Sequence, residues 1–238
     1  MAKIYLINQN SKELPLRNLF QRELDKLGFI EYLLGDDEVE ILEEKTGQKI
    51  VILGLNNEQV KGVWKVNLEM EIAGISSKNT SKTVECALLV LTHRESHSIY
   101  NLHVILIELK QSLTNSEIEN GLLAKPSRLQ DCEGYYKGNK EHIGKFPASI
   151  NRLYMLLSLN EHKNDKNYRE LTIQVNFKGI IVYQNNLMTK QDGTQLYNLL
   201  IGNRQGELLT CKTIFTDKDK IKIYFFNREN IDLSQLLN

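Results

Sequence analysis

The chain has 238 residues, of which 30 Lys and Arg balance 30 Asp and Glu, with 41% apolar and 25% charged residues. That is the composition of an ordinary globular protein able to bury a sizeable core, and zero formal charge excludes a strong overall field for coating nucleic acid or an anionic membrane. Cys86, Cys132 and Cys211 stand far apart without CxxC spacing, which argues against a disulfide framework or a zinc or iron–sulfur site and for a reducing compartment. The N-terminal MAKIYLINQN lacks a signal-peptide pattern, and no apolar run nears the roughly 18 residues of a membrane span, so a cytoplasmic protein with no membrane partner is expected.

Lys3–Ile7 reads as a short strand. Glu13–Leu27 follows as an amphipathic helix, with Leu16, Leu19, Phe20, Leu24 and Leu27 at helical spacing, Ser11 as its cap and Gly28 at its end. Glu23 borders that apolar face. Val39 and Ile41 alternate before Thr46–Gln48 and the apolar KIVILGL, which fits a hairpin over Glu38–Leu53 or a short acidic helix before a strand. Val60–Ile72 alternates strictly, Trp64, Val66, Leu68, Met70 and Ile72 against Lys65, Asn67, Glu69 and Glu71, and predicts one long half-buried strand.

Ser76–Lys82 is a polar loop. Thr83–Leu91 is a strand that is apolar except for Glu85, and Arg94–Asn101 turns the chain into Leu102–Lys110. Three strands joined by short polar links predict an antiparallel meander. Within LHVILIELKQ, Glu108 and Lys110 share a face with Val104 and Leu106, while His103, Ile105, Ile107 and Leu109 occupy the other. A strand apolar on both faces is usually covered on both sides.

Helical segments over Ser112–Leu123 and Ser127–Lys137 come next, and then a basic loop, Lys137–Lys145. Pro147 is read as the start of a helix to Leu159 with Ile150, Leu153, Leu156 and Leu157 on one stripe. Leu171–Tyr183 is a long strand with Gly179 as its expected bulge or bend. Thr194–Ile201 is a short helix, and Glu207–Phe215 and Ile221–Phe226 form a last strand pair around TDKDK. No repeat or linker divides the chain, so one domain over 1–238 is expected.

The constellation that carries chemistry is Glu85, Glu108 and Lys110. Two carboxylates on neighbouring strands repel, and they stay ionised together only beside a cation. Carboxylate oxygens and waters are ligands that magnesium accepts. A bound divalent cation lowers the pKa of water and stabilises charge on a phosphate oxygen. Lys110 is placed to orient that water or to neutralise the pentavalent phosphorus state. The bland alternative is a buried strand whose last residues, Glu108 and Lys110, emerge into solvent.

A helix, a three-strand meander, an acid on the second strand and ExK closing the third resembles the PD-(D/E)XK nuclease superfamily, which includes restriction endonucleases, junction resolvases and RecB-type nucleases. The resemblance covers about 13–184, leaving about 185–238 as C-terminal elaboration. It implies an α/β fold with a restriction-endonuclease-like αβββαβ core, its central mixed sheet flanked by helices. By position Glu85 and Glu108 match the two metal-binding acids and Lys110 the lysine, and Glu23 matches the helix glutamate that some members add to the metal site. The implied activity is Mg²⁺-dependent hydrolysis of phosphodiester bonds, with Mn²⁺ as a substitute, DNA as substrate and a homodimer to cut two strands.

Departures from the pattern are Glu in place of the usual Asp at 85, Val84 where the family often has Pro, and a Gln130–Tyr135 spacing one residue longer than the RecB-type Q-x-x-x-Y. A catalytically inactive relative that binds nucleic acid or a protein is the alternative. Lys137, Lys140 and Lys145 are candidates for phosphate contacts, and Tyr135 for stacking on a base. HRESH at His93–His97 lacks a third ligand and reads as an exposed turn, and GNKEHIGKF has the wrong spacing for a phosphate-binding P-loop.

Overall fold

A computed structural model describes residues 3–4, 29–33, 35–70, 83–93, 99–114, 145–158, 171–187, 207–211 and 219–237. The expected helices over Glu13–Leu27 and Thr194–Ile201, the helical segments over Ser112–Leu123 and Ser127–Lys137 apart from 112–114, and the candidates Glu23, Tyr135, Lys137 and Lys140 lie outside the described residues. Ser112 and Leu113, expected to be helical, continue the strand before them.

The strand patterns of the sequence assemble into an α/β molecule in which strands predominate. They are β1 (Lys3–Ile4), β2 (Ile30–Tyr32), β3 (Glu38–Glu43), β4 (Gln48–Leu53), β5 (Val60–Asn67), β6 (Cys86–His93) and β7 (Ile99–Leu113). Helix α1 (Lys145–Ser158) leads to β8 (Leu171–Asn186), β9 (Glu207–Cys211), β10 (Asp219–Phe226), β11 (Asn230–Asp232) and the single turn α2 (Ser234–Leu237).

A mixed sheet runs in the order β2-β5-β6-β7-β8-β10-β9, with β1 on β8. Strands β5, β6 and β7 form the expected antiparallel meander. Strand β8 then lies parallel to β7, and β10 parallel to β8. A parallel neighbour requires a crossover, and α1 is the described part of it. A second sheet, β11-β4-β3, includes the hairpin, so of the two sequence readings of Glu38–Leu53 the hairpin is the one adopted.

The central strand β7 is covered on both sides. Val104 and Leu106 pack with Trp64, Val66, Phe146, Ile150 and Leu153, which is the helix side. Ile105, Ile107 and Leu109 pack with Ile41, Ile50, Ile52, Ile231 and Leu236, which is the side of the small sheet. A second sheet, and no helix longer than one turn among the described residues, therefore covers that face where flanking helices were expected. The cause is local: β3 and β4 alternate buried and exposed residues and so present one apolar face to the large sheet. Each fully buried Val, Leu or Ile stabilises by about 1.5–3 kcal/mol relative to exposure, so this run offsets the several kcal/mol that placing a carboxylate in β7 costs.

Two details differ from the sequence pattern for a physical reason. The alternation of β5 continues past Asn67, but the strand stops there because Thr83 Oγ1 and Arg152 donate to the Leu68 carbonyl and Arg152 to the Met70 carbonyl. Those acceptors are taken by side chains instead of a neighbouring strand. Gly179, expected at a bulge, sits in unbroken pairing with β7 and β10. Its role is close approach, since a Cβ there would lie 2.4 Å from Ile223 Cδ1 and 2.8 Å from Phe146 Cε1. Glycine at 179 lets the first turn of α1 settle on the sheet. No helix among the described residues is long and apolar enough to cross a membrane.

Candidate functional site

Register brings the acids together. Cys86 of β6 pairs with Ile107 of β7, so the residue just before β6, Glu85, stands level with Glu108. Both carboxylates face the helix side, and both are buried: Glu108 is 0% exposed and Glu85 8%. Glu108 therefore does not emerge into solvent. Lys110, two residues along β7 on the same face, forms an ion pair with Glu108 Oε1 at 3.0 Å and is partly exposed.

A second ammonium joins from the helix. Lys145 Nζ donates to Glu108 Oε1 at 2.5 Å and to Glu85 Oε1 at 3.4 Å. The sequence pattern puts it in a basic loop with Lys137 and Lys140, but α1 begins two residues before Pro147 and carries Lys145 in its first turn. A cation at a helix N-terminus opposes the helix dipole. The two carboxylates hold it there instead. Burial pulls the Lys145 ammonium down, yet the charges of Glu108 and Glu85 and the hydrogen bond to Glu108 outweigh that and leave its pKa above the ordinary lysine value.

The remaining oxygens divide unequally. Glu85 Oε2 accepts the Leu109 N–H at 3.1 Å, whereas Glu108 Oε2 is buried with no hydrogen-bond partner. Burial, then the contact and charge of Glu108, push the Glu85 carboxyl up from an ordinary 4.5 to about 7, against the pull of Lys145 and the Leu109 N–H.

A polar stripe of α1 frames the cluster. Lys145, Ser149 and Arg152 fall at i, i+4 and i+7 beside the apolar stripe Phe146, Ile150 and Leu153. Ser149 Oγ donates to the Lys145 carbonyl at 2.7 Å and accepts the Val84 N–H at 3.0 Å. Arg152 takes the carbonyls where β5 ends. Thus the helix ties down both the end of β5 and the residue before Glu85. Proline at 84 would lack the N–H that meets Ser149, so valine suits this chain.

The structure thus brings Glu85, Glu108 and Lys110 together and adds Lys145, Ser149 and Arg152, which sequence reasoning did not place at the site. The usable signal was the polar stripe beside Phe146. Other candidates stand apart: His93 lies against Tyr100, at a centroid distance of 4.4 Å, and Glu69 is exposed, reaching the site only through its charge on Lys145. Cys86 is buried as a free thiol, its pKa pushed up to about 12 by burial.

On the other face of β7, His103 Nε2 lies 3.1 Å from Thr92 Oγ1, and its Nδ1 is buried without a partner. Lys178 of β8, on that same face, donates to the Leu236 carbonyl of α2.

Among the described residues no group of three or more His, Cys, Asp or Glu side chains converges as a metal site. Comparison with family models, with curated proteins and with solved structures finds no match.

Proposed function

We propose that this protein is a metal-dependent nuclease that hydrolyses phosphodiester bonds of DNA, with a restriction-endonuclease-like core. The observation that carries the reading is a pair of buried carboxylates on adjacent strands, flanked by two ammoniums, with Glu108 Oε2 lacking any donor. Support also comes from the order β5-β6-β7-α1-β8, three antiparallel strands, a helix and a strand parallel to the third, which is the βββαβ part of the core that the resemblance implies.

The donors fit a hard divalent cation. They are oxygens, two carboxylates supply them, and one buried oxygen has no other use. Glu85 and Glu108 would hold Mg²⁺ or Mn²⁺, and the bound ion would supply an acidified water and charge stabilisation at a phosphate oxygen. Lys110, partly exposed at the mouth of the cluster, holds water or a phosphate oxygen by its remaining N–H donors. Leu109 N–H and Ser149, through Val84, hold the Glu85 carboxylate in place. Glu23 remains a proposed further ligand. A homodimer is part of the reading, because two strands of a duplex need two sites.

One observation favours a second reading. The two carboxylates are already balanced by two ammoniums, which suits an inactive module of the same fold that binds nucleic acid or a protein. The test separates the two. The protein is incubated with supercoiled plasmid, linear duplex and single-stranded DNA in Mg²⁺, Mn²⁺ or EDTA, beside Glu108→Ala and Lys110→Ala. Metal-dependent cutting that both variants lose is the expected result. A folded Lys110→Ala protein that cuts at the parent rate removes the mechanism, and no cutting with no metal-induced rise in Tm leaves the binding module.

A further inference from the structure

We infer that Lys145 is a resident counter-ion of the Glu85–Glu108 pair, which a divalent cation must displace in order to bind. The inference rests on the metal reading proposed above and specifies what controls metal occupancy. Its basis is position. Of the two lysines, only Lys145 touches both carboxylates, at 2.5 Å from Glu108 and 3.4 Å from Glu85; Lys110 touches Glu108 alone.

Charge gives the reason. With both carboxylates ionised, as metal binding requires, they and the two ammoniums sum to zero, so a divalent cation added to the intact cluster would leave an excess of two positive charges there. Repulsion between a divalent ion and an ammonium is twice that between unit charges at the same separation, and it is strengthened where water is scarce. Lys110 is partly exposed and can turn its ammonium to solvent, because long stems carry the head group outward. Lys145 is more enclosed and sits where both carboxylates converge. A divalent cation held by the same two carboxylates would compete with this ammonium for them.

The consequence is a threshold. While Lys145 is in place, the carboxylates tolerate each other without metal, which keeps the metal-free protein folded, and metal affinity is lowered by the work of moving the ammonium. Anionic phosphate arriving with the metal would receive the displaced charge.

The probe is Mn²⁺ alone, titrated by calorimetry and by Tm into the parent, Lys145→Met, Lys145→Gln and Lys110→Met. Without metal, both Lys145 variants are expected to melt lower than the parent, because the carboxylates lose their counter-ion. With Mn²⁺ they should bind at least about tenfold tighter than the parent and recover more Tm, while Lys110→Met changes affinity less. Parent binding with both Lys145 variants no tighter than the parent overturns the displacement and leaves the metal reading standing.

Binding by the variants but not by the parent upholds the displacement and overturns metal-dependent action of the native chain. No Mn²⁺ binding by any of the four overturns the metal reading and the displacement with it. Where a Lys145 variant is unfolded without metal, recovery of its far-ultraviolet circular dichroism on adding Mn²⁺ counts for the proposal, and failure of both variants to recover counts against it.

Discussion

The two faces of the central sheet each bury ionisable side chains, and they treat charge in opposite ways. On the helix face the ionisable groups meet one another: Lys145 pairs with Glu85 and Glu108, and Lys110 with Glu108. On the face of the small sheet burial, then the Lys178 charge, push His103 down to about 4, and burial, then Lys222, pull Lys178 down to about 8. There His103 is neutral at pH 7 and Lys178 rests on a backbone carbonyl. The difference follows from what lies on each side of β7: Glu108, with Glu85 level with it, on one, and His103 among Ile105, Ile107 and Leu109 on the other. Among the described residues the buried carboxylates are Glu85 and Glu108, both on the helix face, and that is where ammoniums find carboxylate partners.

Breaking the pairing is the largest disturbance. Glu108→Ala leaves Lys145 and Lys110 without the carboxylate they share, and loss of one partner from a buried ionic group costs about 3–5 kcal/mol. Urea unfolding should show that loss, and a change close to zero would mean that water already screens the cluster.

A smaller effect comes from lifting the helix off the sheet. Gly179→Ala puts a methyl against Ile223 and Phe146, and overpacking of this kind costs about 1–3 kcal/mol. Because Phe146 adjoins Lys145, the same change should shift the Lys145 Nζ resonance in NMR spectra. An unmoved resonance would uncouple the helix from the acids.

The finest comparison uses pH, in EDTA. Glu85 has a raised pKa when folded, so its contribution to stability is complete below 4.5 and is lost as pH rises through about 7. His103 has a depressed one, so its contribution is complete above 6.5 and is lost as pH falls through about 4. Between these limits the two faces oppose each other. Relative to the parent, Glu85→Gln should make Tm rise more steeply with pH from 4.5 to 6.5, and His103→Gln should make it rise less or fall. Each slope is at most about 1.4 kcal/mol per pH unit. Parallel profiles for both variants would show that neither burial shifts a proton.

Much of the site was readable because strands have a period of two. That period put Glu108 and Lys110 on one face of β7, and the meander put Glu85 beside them, since short links leave consecutive strands adjacent. Lys145 was not readable in this way. Its partners lie 37 and 60 residues earlier, and the helix that carries it begins before the proline taken as its start. Gly179 was misread for the same reason: glycine marks either a bend or a close approach, and only the neighbour, Phe146, decides between them.

The amino-acid sequence by itself determined the strands of the meander with their two faces, the strands β8 and β10, and the candidate acids, because alternation and turn composition are local; β2 and β11 were too short to read in this way. The tertiary structure decided which layer covers each face of β7, that β5 ends at Asn67, and which ammonium stands between Glu85 and Glu108. Those outcomes depend on contacts between segments far apart in the chain, where burial removes water and a charge must find its partner in the protein.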